Sequence, residues 1–95
     1  MSNATGVRFT ATAQVVAVAD YPGGVGVVGV SVLNGTGSAN HVTVYEGTDT
    51  SGRVLISKSL AASSGDTVAL AVPLAAKTGV YVTCTGAVVG TLWFA

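Results

Sequence analysis

The chemistry most within reach of this chain is nucleophilic catalysis, because its single histidine, His41, could act as a general base near neutral pH. A catalytic triad would pair this histidine with a serine and with one of three aspartates, Asp20, Asp49 or Asp66. Such a serine needs a sharply turned elbow to present it, and the sequence contains no G-x-S-x-G motif. The acidic residues are dispersed, so their spacing does not predict paired carboxylates for glycosyl transfer. We therefore predict no catalytic residues and a protein that is not an enzyme.

The sequence gives equally little evidence for a metal site, a redox-active cysteine or a phosphate-binding loop. Cys84 is the only cysteine, which rules out an internal disulfide, and its place in an apolar alternation predicts a small buried side chain. Residues 46–49 offer oxygen ligands, but the twelve-residue calcium loop is absent. The spacing G-x-G-x-x-G occurs at Gly24, Gly26 and Gly29. These glycines lie in a valine-rich run that predicts a strand, whereas a phosphate loop must open a helix. We expect no cofactor and no metal.

The elements that would position any site are all predicted to be strands. Valine, threonine, alanine and glycine dominate, and strong helix formers are scarce. Seven strands are predicted, at residues 7–18, 25–33, 41–46, 53–60, 68–74, 79–85 and 88–94. A change in alternation near Val15 predicts a bulge or a division of the first strand into two, and Pro73 indicates an edge position. This pattern predicts an all-β, antiparallel β-sandwich of seven or eight short strands, either jelly-roll or immunoglobulin-like.

Composition favours association over a solitary existence. We expect a flexible N-terminal arm at residues 1–6 and a single sandwich domain at residues 7–95. The chain has four basic and four acidic residues, 8% of the total, whereas soluble domains average about 25%. A net charge near zero promotes association, and it offers no basic surface for nucleic acid or anionic lipid. The first six residues lack the regions of a secretory signal, so we expect synthesis in a cytoplasm.

Two strands are apolar on both faces, whereas a sandwich strand normally has one face in water. In the last strand, Leu92 and Phe94 alternate with Val89 and Trp93. In the strand at residues 25–33, one face is predicted to carry Val28, Val30 and Val32. The opposite face is predicted to carry Val25, Val27 and Leu33. The surplus apolar surface lies either under a loop or against another subunit, where aromatic residues often dominate binding. The candidate interface residues are Val25, Val27, Leu33, Val89, Trp93 and Phe94.

Three short stretches carry a family resemblance: residues 42–48 (VTVYEGT), 51–55 (SGRVL) and 79–83 (GVYVT). They resemble small β-sandwich virion proteins of tailed bacteriophages, of the head decoration or cement type or related fibre and knob subunits. In those proteins a strand reading V-x-V-Y-[DE]-G-T leads into an S-G-x-V-L turn. The resemblance brings no functional residue with it. It implies a non-enzymatic protein on the capsid surface, with the major capsid protein or other virion subunits as partners.

Two functions follow as alternatives. The first is a capsid decoration protein that binds and stabilises the major capsid protein lattice, as a homo-oligomer such as a trimer at a lattice three-fold. The second is a fibre or knob subunit in which Tyr21, Tyr45 or Tyr81 stacks on host-surface glycan. Neither involves nucleic acid or a membrane.

Overall fold

The computed structural model describes residues 5–17, 19–86 and 88–95, so residues 1–4 of the predicted arm and Val18 of the first predicted strand lie outside the described residues. The described part forms eight strands: β1 Thr5–Phe9, β2 Ala13–Val16, β3 Val25–Asn34, β4 Asn40–Glu46, β5 Val54–Leu60, β6 Ser64–Ala76, β7 Val80–Cys84 and β8 Val88–Phe94. Thr5 and Gly6, which were predicted to belong to the arm, lie in β1. β1 already begins at Thr5, because Thr5 and Gly6 pair with the end of β8.

The strand pairing is that of one long hairpin folded over on itself. β1 pairs with β8, β2 with β7, β3 with β6 and β4 with β5, all antiparallel. Further pairs, β3 with β8 and β4 with β7, join them into a first sheet of order β1-β8-β3-β6 and a second of order β2-β7-β4-β5. Eight strands in this order form a jelly roll. The predicted β-sandwich is confirmed, and the jelly roll is the observed topology.

The first predicted strand divides into β1 and β2, which lie at the edges of different sheets. Residues 10–12 carry the chain between them, and the Thr12 hydroxyl accepts a hydrogen bond from the Cys84 main-chain N–H at 3.1 Å. The β2–β7 register shifts between Gln14 and Val16, which places a bulge at Val15. The predicted bulge is therefore found where the alternation changes, while the division of the strand falls earlier, at residues 10–12.

The core lies between the two sheets. Val30 and Leu92 from the first sheet and Val44 and Val82 from the second are all 0% exposed. Successive side chains of a strand point to opposite faces, so the residues between these core positions face outward. The sandwich therefore has two outer faces, one on each sheet, and these are the surfaces on which binding could occur.

A bulge in β3 changes which valines enter the core. The register of β3 with β8 shifts between Val27 and Gly29, which leaves Val28 as the extra residue. On the other side of β3 the surplus lies in β6, where residues 70–73 separate the partners of Val27 and Gly29. Val27 consequently points inward with Val30, so the prediction that Val28 shares a face with Val30 was wrong. Glycine is required at position 29, because a Cβ there would overlap the carbonyl oxygen of Val68.

One buried polar side chain ties together the loops at one end of the sandwich. The Asn34 amide is fully buried and donates to the carbonyl oxygens of Ser38 at 2.9 Å and Ala61 at 3.1 Å. Its own side-chain oxygen accepts from the Thr36 main-chain N–H and from the Asn40 amide, each at 3.1 Å. This network fixes the β3–β4 turn against the end of β5.

Candidate interaction surfaces

The six residues predicted as an interface divide between the core and the surface. Val27 and Phe94 are only 0% and 2% exposed and pack between the sheets, so their prediction as contact residues was wrong. Val25 is half-buried and also packs against the core. The three that reach the outer face of the first sheet are Leu33, Val89 and Trp93. The predicted contact is thus reduced to half of its residues, all on β3 and β8.

We call the outer face of the first sheet the tryptophan face. Its central positions, on β8 and β3, pair as Trp93 with Gly29, Thr91 with Ser31, and Val89 with Leu33. The neighbouring positions of β6 are also small: Ala69 lies opposite Gly29, and Gly65 lies opposite Leu33. Small residues keep these central positions low, so Trp93 and Leu33 are the large exposed apolar side chains there, at 40% and 54% exposure. Val72, on the edge strand β6, is 72% exposed.

Glycines beneath these two side chains let them lie against the sheet. Gly6 is the cross-strand partner of Trp93, and a Cβ at Gly6 would lie 2.7 Å from Cζ3 of the indole. A Cβ at Gly65 would likewise lie 3.4 Å from Cδ1 of Leu33. The indole therefore covers the backbone of β1. The result is an apolar surface that is flat and held in place before any partner arrives.

Charge is almost absent from the tryptophan face. Within the described strands, Arg8 is the one charged residue at its outward positions, opposite Thr91. Four of the other charged residues form two ion pairs elsewhere. Arg53 lies 3.3 Å from Glu46, and Lys58 forms a 2.6 Å contact with Asp66. The last pair joins the edge strands β5 and β6, where it discourages strand addition from another chain.

The outer face of the second sheet, which we call the hydroxyl face, has a different chemistry. Its outward residues on β4, β5 and β7 are His41, Thr43, Tyr45, Val54, Ser57, Ser59, Tyr81 and Thr83. Tyr45 lies directly opposite Tyr81, and the Thr43 side chain sits between those of its partners Thr83 and Ser57. Apart from Val54, which is 53% exposed, these side chains carry a hydroxyl or an imidazole, and none is a lysine, arginine, aspartate or glutamate.

His41 is held by two serines that the sequence did not single out. Its Nε2 lies 2.8 Å from the Ser57 hydroxyl, and its Nδ1 lies 3.0 Å from the Ser59 hydroxyl. A serine beside an imidazole is the first half of a nucleophilic pair, but here the second nitrogen faces another serine where a carboxylate would orient the ring. The candidate acids Asp49 and Asp66 are engaged with Ser51 and Lys58. The structure does not assemble the triad considered from the sequence.

The aspartates instead hold turns and edges. Hydrogen bonds from the Ser51 hydroxyl and main-chain N–H keep the pKa of Asp49 below its usual range. The pKa of Asp66 is lowered first by its hydrogen bond with Lys58 and then by the Thr67 N–H. In the described ranges, no three His, Cys, Asp or Glu side chains cluster as metal ligands would. The half-buried Cys84 packs against the core.

The three tyrosines do not form one surface. Tyr21 lies in the loop after β2 and contacts the buried Phe94 edge-on, with ring centroids 5.2 Å apart and planes at 81°. Tyr45 and Tyr81 lie on the hydroxyl face.

A concavity of about 260 Å³ at the β1–β2 corner is lined by residues 7–11 and 13–15, with Arg8 as its one ionisable side chain. The two outer faces therefore remain the main candidate surfaces.

Comparison with known proteins adds no relative. No protein-family model matches the chain, and no curated protein or solved structure shows a significant similarity to it. The described residues include no helix long and apolar enough to cross a membrane. The chemistry of the two outer faces is therefore the main structural guide to what the protein binds.

Proposed function

We propose that the chain is a non-enzymatic structural protein of a virion, a capsid decoration protein that binds the major capsid protein lattice through the tryptophan face. The observation that carries the proposal is the exposure of Trp93 and Leu33 on a flat face of small, nearly uncharged side chains. Trp93 and Leu33 flank the small polar pair Thr91 and Ser31, and tryptophan is enriched among residues that dominate interfaces.

Three further observations support this partner. The resemblance of residues 42–55 and 79–83 to phage virion proteins points to a capsid or fibre. The jelly roll is also a common fold of viral capsid subunits, which supports the proposal only by analogy because one fold hosts many functions. The low charge suits a protein packed densely among other subunits at the capsid surface, after synthesis in the host cytoplasm.

The proposed mechanism is mass action. A protein that binds the assembled lattice better than free capsid subunits adds its binding free energy to the stability of the assembly. A flat and prearranged face loses little conformational entropy on binding, because Gly6 already positions the indole of Trp93. We propose that the chain binds as a homo-oligomer, such as a trimer, which would multiply this contact at each lattice site.

The test uses empty, expanded capsids assembled from the major capsid protein encoded in the same genome. Purified protein should sediment with these capsids and raise the temperature at which they disrupt. Leu33→Ser should weaken binding, while Val54→Ser should not, because Val54 is equally exposed, at 53%, but lies on the second sheet. Absence of binding to capsids of every maturation state would overturn the proposal.

A further inference from the structure

We propose that the hydroxyl face binds a neutral polysaccharide, in addition to the lattice contact proposed for the tryptophan face. The inference does not depend on that contact, since the two surfaces belong to different sheets of the sandwich. It depends on the side chains that the β4–β7 and β4–β5 registers bring together.

The first element of the site is an aromatic pair. Tyr45 and Tyr81 are direct cross-strand partners on β4 and β7, so their side chains leave the sheet at neighbouring positions. Both are only half-buried, which leaves part of each ring open to a ligand. The C–H faces of sugar rings pack on such rings, and tyrosine provides this area with little side-chain entropy to lose.

The second element is a set of hydroxyls without intramolecular partners. In the part of the chain that is described, the side-chain hydroxyls of Thr43, Tyr45, Tyr81 and Thr83 form no hydrogen bond with the protein. Thr43 is only 8% exposed, yet its oxygen is not a buried unsatisfied atom, so solvent still reaches it. A ligand rich in hydroxyls can exchange donor and acceptor roles with each of these groups.

The charge of the face selects the class of ligand. Its outward residues are threonine, tyrosine, serine, His41 and Val54. Glu46 and Arg53, next to Tyr45 and Val54 in the chain, form an ion pair with each other at 3.3 Å. A sulfated, phosphorylated or sialylated chain would lose hydration here without gaining a cationic partner. An apolar protein surface would bury these free hydroxyls unpaired. A neutral glycan carries no charge that would lose hydration, and its hydroxyls can pair with those of the face.

The experiment titrates the full chain with maltohexaose, cellohexaose and mannohexaose, and with a polysialic acid oligomer as the anionic comparison, followed by NMR or calorimetry. At least one neutral hexasaccharide should bind saturably, and polysialic acid should not. Tyr81→Ala should weaken binding by about tenfold, as expected for the loss of one stacking contact. Tyr81→Phe, which keeps the ring, should retain most of the affinity and shows whether folding is preserved.

Trp93→Ala on the opposite face is the matched control and should leave sugar affinity unchanged. The proposal is overturned if no neutral hexasaccharide binds at millimolar concentration, if polysialic acid binds as well as the neutral chains, or if folded Tyr81→Ala binds like the wild type. If Leu33→Ser loses capsid binding but keeps sugar binding, the sugar proposal is supported. If the wild type fails to bind capsids, the sugar-binding results still decide the sugar proposal on their own.

Discussion

Trp93→Ala is the most discriminating substitution, because its two possible effects differ in size. Trp93 is 40% exposed, so about three-fifths of it is already covered within the subunit, mainly against β1. Truncating this half-covered indole should cost the isolated subunit about 1–2 kcal/mol, less than the 3–5 kcal/mol typical of a fully buried aromatic. This change in unfolding free energy is measured by urea denaturation followed by circular dichroism.

The larger effect should be on association. A tryptophan offers about 250 Å² at most, so the exposed 40% amounts to about 100 Å² that a partner can bury. At about 25 cal/mol per Å² this contributes about 2.5 kcal/mol, or roughly a 70-fold change in dissociation constant. Co-sedimentation with empty capsids over a range of protein concentrations measures that change, with Val54→Ala as a control for loss of exposed apolar area elsewhere.

The interface hypothesis fails if the two effects are reversed. A fall of 3–5 kcal/mol in subunit stability, with unchanged capsid affinity among the folded molecules, would mean that Trp93 acts as a core residue. An equal loss of affinity in Val54→Ala would mean that the contact is not specific to the tryptophan face.

Three further predictions concern the scaffold. Asn34→Ala removes the buried amide that donates to the Ser38 and Ala61 carbonyl groups and should lower the unfolding free energy by about 1–3 kcal/mol, so an unchanged urea midpoint would contradict the proposed network. Gly6→Ala should push the indole of Trp93 away from β1 and increase quenching of its fluorescence by acrylamide, whereas unchanged quenching would show that the indole does not depend on Gly6. Lys58 lowers the pKa of Asp66 in the folded state, so its contribution is present above the ordinary aspartate pKa and is lost as the pH falls through the lowered value. Asp66→Asn should therefore lose less thermal stability than the wild type on acidification below about pH 4, and parallel losses would refute this assignment.

The fold class could be predicted from the sequence because side-chain alternation and turn residues are determined by neighbouring residues in the chain. The division of the first strand and the bulge at Val15 both left a mark, since each interrupts the two-residue period of the side chains. No local sequence pattern indicates the jelly-roll topology. It depends on pairs such as β1 with β8, whose partners lie at opposite ends of the sequence.

The residues of the candidate surfaces could be predicted from the sequence only in part. On β8 both alternating sets are apolar, so the sequence could not decide that Phe94 faces inward and Trp93 outward. On β3 the bulge at Val28 reverses the alternation and sends Val27 into the core, a change that two flanking glycines do not reveal. The hydroxyls around His41 depend on the β4–β5 register, which a long polar loop leaves undetermined in the sequence.

The pairing of β1 with β8 also has a consequence for the order of folding. Thr5 meets Phe94 only after almost the whole chain has been closed into a loop, and closing long loops is entropically unfavourable. We therefore expect β4 and β5 to pair early and β1 to dock last, which predicts slow folding for a chain of this length. The indole of Trp93 has its support on Gly6 only after that last step. A subunit released before completion would lack the arranged contact surface, so assembly would select for molecules that have finished folding.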